Sequence, residues 1–300
     1  MRAGGVNTAT SGTVLVESGA CLTYDGEDGI GQVISDRCTD HAIRVASRFG
    51  LALVVVRNSH HFGAAFYWGE KMARAGNIGI VMSNASPAVP PWQGKSPRLG
   101  TNPICMTVPS SGAGKWQLDM ATTTVALGKV GHAAQLEQTS IPAWWGFLDA
   151  GGKATTNLKA AQKGVPTPIG GYKGTGLGMM VEILCAVLSS GPMSSDVPIN
   201  RTGADPLRVS HMFLAIDPTR FLPRDQFQAR MERLVNMMKS SEPAPGFDEV
   251  LIAGEPEWRA EKERRREGIP VPVRLWENMA TLAQSLKVAP PLAIGSKAKP

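Results

Sequence analysis

Cysteine is scarce in this sequence, and its placement excludes several chemistries. Only Cys21, Cys38, Cys105 and Cys185 occur, far apart, with no Cys-x-x-Cys pair and no histidine at zinc-ligand spacing. Neither a disulfide scaffold nor a metal cluster is expected. Cys105 and Cys185 sit in apolar runs and read as small buried hydrophobes, which fits a reducing cytoplasm. Long apolar runs are missing too: none approaches membrane-spanning length, and Met1-Arg2-Ala3-Gly4-Gly5 lacks a leader's apolar region. Charge of one sign is never concentrated. The net charge is +6, and the densest stretch, 259–267, mixes both signs like a solvated helix face. No basic stripe interleaves with aromatics, so neither nucleic acid nor a membrane is an expected partner.

Three familiar site signatures are absent as well. Gly174-Thr175-Gly176-Leu177-Gly178 places Met179 where a dinucleotide fingerprint needs glycine. Gly112-Ala113-Gly114-Lys115 runs into Trp116 rather than the Ser or Thr of a phosphate loop. No Gly-x-Ser-x-Gly elbow accompanies Ser59. What is present is an ordinary globular composition: 300 residues, 43% apolar and 19% charged, enough for one large domain or two of common size.

The most informative stretch is Arg57-Asn58-Ser59-His60-His61-Phe62-Gly63. Before it stands Leu51-Ala52-Leu53-Val54-Val55-Val56, a β-branched run that reads as a buried strand. After it, residues 64–76 read as a helix closing on Gly76. Titratable residues between a buried strand and a helix occupy the kind of place where α/β proteins do chemistry. A histidine there can act as acid or base near neutral pH, although capping a helix or filling a polar niche would explain it equally well. Residues 32–48 predict a helix ending at Gly50, and residues 76–84 and 104–108 predict strands. Residues 116–119 predict a short strand, and 120–138 a helix for which Asp119 is the N-cap. Residues 169–188 predict an apolar helix opening on Gly170-Gly171-Tyr172-Lys173, where free N–H groups and the Lys173 ammonium favour an anion. Strands at 211–217 and 248–255, and helices at 221–240, 256–267 and 272–286, complete the chain; 288–300 reads as a disordered tail.

Taken in order, four blocks say more than any one of them. Residues 58–63, Leu99-Gly100-Thr101-Asn102-Pro103, Leu118-Asp119-Met120-Ala121-Thr122 and Gly170-Gly171-Tyr172-Lys173-Gly174 resemble the signature blocks of the malate/L-lactate dehydrogenase family of the second, non-Rossmann type. Asp25-Gly26-Glu27-Asp28-Gly29-Ile30-Gly31 upstream and Ala253-Gly254-Glu255 downstream fit as well. The likeness spans about residues 12–287, read as one catalytic region covering 1–287.

The resemblance implies an α/β (α+β) fold with a largely antiparallel sheet flanked by helices. It implies an NAD- or NADP-dependent oxidoreductase interconverting a 2-hydroxy acid and its 2-keto acid, working as a homodimer. His61 matches the family's acid/base histidine. Thr101 and Asn102 match the substrate-binding block. Ser83, Asn84, Asp119, Met120, Ala121, Lys173, Gly174, Gly254 and Glu255 fall in cofactor-binding blocks. Family members begin with a helical segment carrying a Ser-His-Gly-x-x-Arg block, and this sequence starts just downstream of it. A late start site and a shortened, weakly active or silent nucleotide-binding subunit are the two expectations that follow.

Overall fold

The computed structural model describes residues 4–110, 112–199 and 204–290. It divides into two compact units, one running to Ile252 and one from Ala253. The first unit is built on a seven-stranded sheet. Its strands are β1 (Thr13–Ser18), β2 (Cys21–Asp25), β3 (Leu51–Ser59), β4 (Ile78–Ser83), β5 (Ile104–Thr107), β6 (Gln117–Met120) and, entering last, β10 (Val209–Ile216). They lie in the order β1-β2-β3-β10-β4-β5-β6. Only β2 and β3 pair in parallel; the other five pairings are antiparallel. The expected largely antiparallel, non-Rossmann sheet is therefore what forms. The parallel pair needs a crossover, and α1 (Gly31–Phe49) supplies it. That helix stops where predicted, because Gly50 adopts a left-handed φ of 87° and returns its N–H to Ala46 O.

Strand alternation gives the sheet two apolar faces. Val54, Val56, Phe213 and Ala215 join Ile34, Val45, Trp68 and Met72 in the core under α1 and α2 (Ala65–Arg74). Val55 and Met212 point the other way, onto Val181 and Cys185 of α5 (Tyr172–Glu182) and the π-helical turn that continues it to Val187. A satellite cluster around Phe147, Ile141 and Leu158 packs α3 (Gly128–Gln135) and α4 (Leu158–Gln162). A small sheet of β7 (Phe147–Leu148), β8 (Ala154–Thr155) and β9 (Val165–Pro166) belongs to the same region. α6 (Arg224–Lys239) completes the first unit; the second holds α7 (Glu255–Glu267) and α8 (Val273–Leu286).

Two elements differ from expectation. The helix predicted over 120–138 is cut to Gly128–Gln135, and Asp119 lies on β6 instead of capping it. The cause is the run Thr122-Thr123-Thr124, whose β-branched side chains disfavour helix. Its polar groups are engaged elsewhere: Thr122 N donates to Thr101 O and Thr124 N to Thr167 O. The strand predicted over 248–255 does not form; the chain there is turn and coil until Gly254, at φ 94°, starts α7. Of the predicted disordered tail, 291–300 lie outside the described residues.

Candidate functional site

The predicted site residues of the first unit converge because of strand direction. β3 and β4 end at Ser59 and Ser83, and β6 ends at Met120, while β5 begins at Ile104 and β10 at Val209. Register places Ser59 opposite Val209, Ser83 opposite His211, and Ile104 opposite both Met82 and Met120. All five strand ends therefore open on one edge of the sheet. The Asp25 end of β2 joins them through its parallel pairing with Arg57. The start of α5 is drawn to the same edge: Ile169 N donates to Thr122 O at 3.0 Å, and Thr122 N donates to Thr101 O at 2.9 Å.

His61 stands exposed at this edge. Gly63 N donates to its Nδ1 at 3.1 Å, which fixes the ring's orientation. The backbone around it is held at several points. Trp68 Nε1 donates to Phe62 O at 3.1 Å. A Cβ on Gly31 would lie 2.2 Å from the His60 carbonyl oxygen and 2.4 Å from that of His61, so only glycine lets α1 start so close. Asp119, the predicted cofactor residue on β6, reaches across to α2: its Oδ2 accepts from Phe66 N at 2.9 Å. That helix has no cap of its own, since its N-cap is Ala64. Asp119 therefore caps a helix, but the one following His61. Replacing Asp119 with alanine is expected to destabilise the first unit by about 1 kcal/mol, measured by urea unfolding. A change near zero would show the Phe66 N–H to be satisfied by water.

Behind the exposed histidine lies a buried polar layer. His60 is buried and its Nε2 has no hydrogen-bond partner among the described residues; burial lowers its pKa. His211 is wholly buried, its Nδ1 2.9 Å from Ser83 Oγ and its Nε2 3.2 Å from His60 O. Burial pushes its pKa down to about 3. The unfolded chain therefore binds a proton that the folded chain refuses between that value and the ordinary ~6.5. Stability is full above the ordinary value and falls with pH below it, at about 1.4 kcal/mol per unit. Urea midpoints between about pH 7 and pH 5 should show a loss on the order of 2 kcal/mol from this ring. His211→Gln should flatten that slope; an unchanged slope would assign the loss to other groups.

Asn84 and Asn102 belong to a second buried network, centred on Glu182 of α5. Asn102 Nδ2 donates to Glu182 Oε1 at 2.8 Å, and Ser194 N donates to Oε2 at 3.1 Å. The Ser194 hydroxyl also donates to Oε1. Asn84 Nδ2 lies 3.4 Å from Oε2 and donates to Pro192 O at 2.9 Å, while its Oδ1 accepts from Ser210 N at 2.7 Å. Both asparagine side chains are thus bonded inside the protein, and Asn102 holds a left-handed φ of 38°. Thr101 is half-buried, and its carbonyl accepts from Thr122. Met120 and Ala121 are half-buried where β6 ends.

Lys173 is exposed at the second position of α5, after Gly170 and Gly171 at φ 59° and 65°. A Cβ on Gly174 would lie 2.3 Å from Ile169 O, so this glycine sits hard against the turn. An ammonium beside the positive end of a helix is a donor set that fits a phosphate-bearing cofactor. Gly254 and Glu255 lie in the C-terminal unit, where Gly254 is the N-cap of α7 and Glu255 pairs with Arg259 at 3.9 Å.

Sequence reasoning did not single out His211, Glu182 or Ser194. One visible signal was a single polar residue inside an apolar stretch: Glu182 in Met180-Val181-Glu182-Ile183-Leu184, and His211 leading Met212-Phe213-Leu214. Two open hollows, of about 570 and 410 Å³, lie along α6 and include no residue of the sheet edge.

Known proteins resemble this chain over most of its length. The family model described as malate/L-lactate dehydrogenase matches residues 1–280. A malate dehydrogenase of Pyrococcus abyssi is 33% identical over 293 residues, 95% of this chain and 80% of that protein. An L-sulfolactate dehydrogenase of Methanocaldococcus jannaschii is 33% identical over 286 residues, 95% of this chain and 81% of that protein. The solved malate dehydrogenase of Pyrococcus horikoshii superposes with a TM-score of 0.88 at 32% identity, covering 97% of this chain and 81% of its own. With block order, sheet and relatives in agreement, the chain belongs to the malate/L-lactate dehydrogenase family.

Proposed function

We propose that this chain reduces a 2-keto acid to the 2-hydroxy acid and runs the reverse reaction, with His61 exchanging the substrate's proton. The observation that carries this is the position of His61, exposed at the one sheet edge where the other blocks of the first unit converge and braced on both sides by bonded backbone. NAD or NADP supplies hydride chemistry when bound. Lys173 and the first turn of α5 offer positive charge for its phosphates. Asp119, Met120, Ala121 and Gly174 line the strand end and turn beside it. Ser83 and Asn84 support that edge from inside, because their polar atoms face the protein interior.

Gly63 N–H occupies Nδ1 of His61, so the exchanged proton is held at Nε2. In the reducing direction Nε2–H donates to the keto oxygen and passes its proton on as the alkoxide forms. Thr101, on the loop that Asn102 anchors, is the residue assigned to the substrate side. We place the enzyme as a homodimer in a reducing cytoplasm, where Cys38, Cys105 and Cys185, all buried, stay thiols.

The test is consumption of NADH and NADPH, followed by nicotinamide absorbance, with pyruvate, oxaloacetate, 2-ketoglutarate, sulfopyruvate and a cyclic imino acid. Turnover of at least one acid is expected. Turnover of none, with either cofactor, overturns the reading.

A further inference from the structure

His61 projects from a segment whose two flanking residues are gripped by one buried side chain. The His211 ring reaches the His60 carbonyl through Nε2 at 3.2 Å. It also meets the Phe62 ring edge-on, with 4.4 Å between centroids. It therefore touches the residues before and after His61, one through a polar bond and the other through an apolar contact. Strand register makes this possible. Val209 pairs with Ser59 but His211 pairs with Val56, so β3 carries an extra residue here and bulges. Asn58, inside the bulge, takes a φ of 53°. Bulges beside sites redirect the chain and re-aim side chains. This one folds the His60 carbonyl back over the strand that bears His211.

The ring's two nitrogens have distinct duties. A carbonyl can only accept, so Nε2 carries the hydrogen. The buried ring is neutral, so Nδ1 presents a lone pair 2.9 Å from the Ser83 hydroxyl, whose single proton is shared with the Asn84 carbonyl at 2.8 Å. A residue that only filled the core could be apolar; here a wholly buried ring has a polar atom within reach of each nitrogen.

We infer that His211 is a positioning residue for His61: its Nε2–H bond to the His60 carbonyl fixes the peptide from which His61 projects. This rests on the reading of His61 as the proton-exchanging group.

Two substitutions separate this role from packing. In His211→Gln the amide nitrogen extends as far as Nε2 and keeps the donor to His60. In His211→Asn it extends only as far as Nδ1, so the contact with Ser83 survives and the bond to His60 is lost. Asparagine is also one methylene shorter, so urea unfolding of both variants is compared with their kinetics: a packing effect lowers stability in step with kcat, whereas loss of positioning lowers kcat beyond it. For His211→Asn, kcat is expected to fall about a hundredfold, the scale of a small misplacement at a site. KM and cofactor Kd should stay within about threefold. His211→Gln should keep kcat within about tenfold of wild type.

Deuterium exchange at the amides of residues 59–63 gives a readout independent of turnover. It should accelerate in His211→Asn and stay near wild type in His211→Gln. Ser83→Ala, which removes the hydroxyl packed against Nδ1 with little change in volume, should accelerate it as well by loosening the ring, and serves if either His211 variant fails to fold. Equal kcat and equal exchange in the Gln and Asn variants would overturn the inference. So would cofactor affinity falling in step with kcat, or unchanged exchange in Ser83→Ala. If the wild-type protein turns over no 2-keto acid, the reading of His61 fails, while the exchange measurements still decide whether His211 holds the segment.

Discussion

Replacing His61 with alanine is expected to lower kcat by about 10²–10⁴-fold, the usual contribution of a positioned acid or base, while the Kd for NAD(P)H moves by less than about threefold. The separation follows from where the side chain sits. His61 is exposed and contributes to neither face of the sheet's core. The bonds that brace its segment are made by its neighbours: Phe62 O to Trp68, His60 O to His211, and Phe66 N to Asp119. Truncation therefore removes the ring and its bond to Gly63 N and leaves the scaffold standing. Stability should stay within about 0.5 kcal/mol of wild type, as for a surface substitution that disturbs no buried feature. Steady-state kinetics paired with a fluorescence titration of the cofactor check both halves. A parallel loss of turnover and cofactor binding would make His61 a structural residue. Intact turnover would move the proton exchange to another group.

How much of this was legible in the sequence depends on the range of the forces involved. β3 and α1 were readable because their signals are local: an unbroken apolar run rich in valine, and apolar spacing closed by Gly50. The blocks that meet at the sheet edge were readable in order, but not their meeting, since strand order β3-β10-β4 brings together residues more than a hundred positions apart. Asp119 shows the limit most clearly. Its sequence neighbourhood is that of an N-cap, and capping is what it does, yet the helix it caps begins at Ala65. A local rule identified the chemistry and could not identify the partner. Asn102 and Asn84 show the same thing at the site itself. Each falls in a block tied to ligand binding, and each has its amide bonded within the protein. His211 and Glu182 were hidden for another reason. A lone polar residue in an apolar run is a fault in the pattern until its partners are known, and those partners come from other strands and loops.

Removing the Glu182 carboxyl should be the most destabilising single change in the first unit among those considered. Four donor atoms converge on it: Nδ2 of Asn84 and of Asn102, and the N and Oγ of Ser194. They come from the end of β4, the loop before β5 and the loop after α5, so one side chain ties three segments to the helix. Ser194 Oγ in turn accepts from Gly100 N at 3.0 Å, extending the tie to the residue before Thr101. In Glu182→Ala these donors stay buried without their acceptor. Each such loss costs on the order of 1–3 kcal/mol, and losses within one network are less than additive. A net loss of about 3–5 kcal/mol follows, close to the upper limit for point substitutions. For a unit of this size that lowers Tm by roughly 10 °C. Glu182→Gln keeps one acceptor oxygen and turns an N–H2 toward donors, so it should fall between wild type and alanine. Because the lost anchor includes Asn102, KM for the keto acid should rise more than kcat falls. A double-mutant cycle with Asn102→Ala separates network from bulk packing: coupling of about 1–2 kcal/mol is expected if the two side chains act as one unit. Strict additivity, or a Tm shift below about 3 °C for Glu182→Ala, would mean that water replaces the carboxyl and that the loops are held by their own backbone bonds.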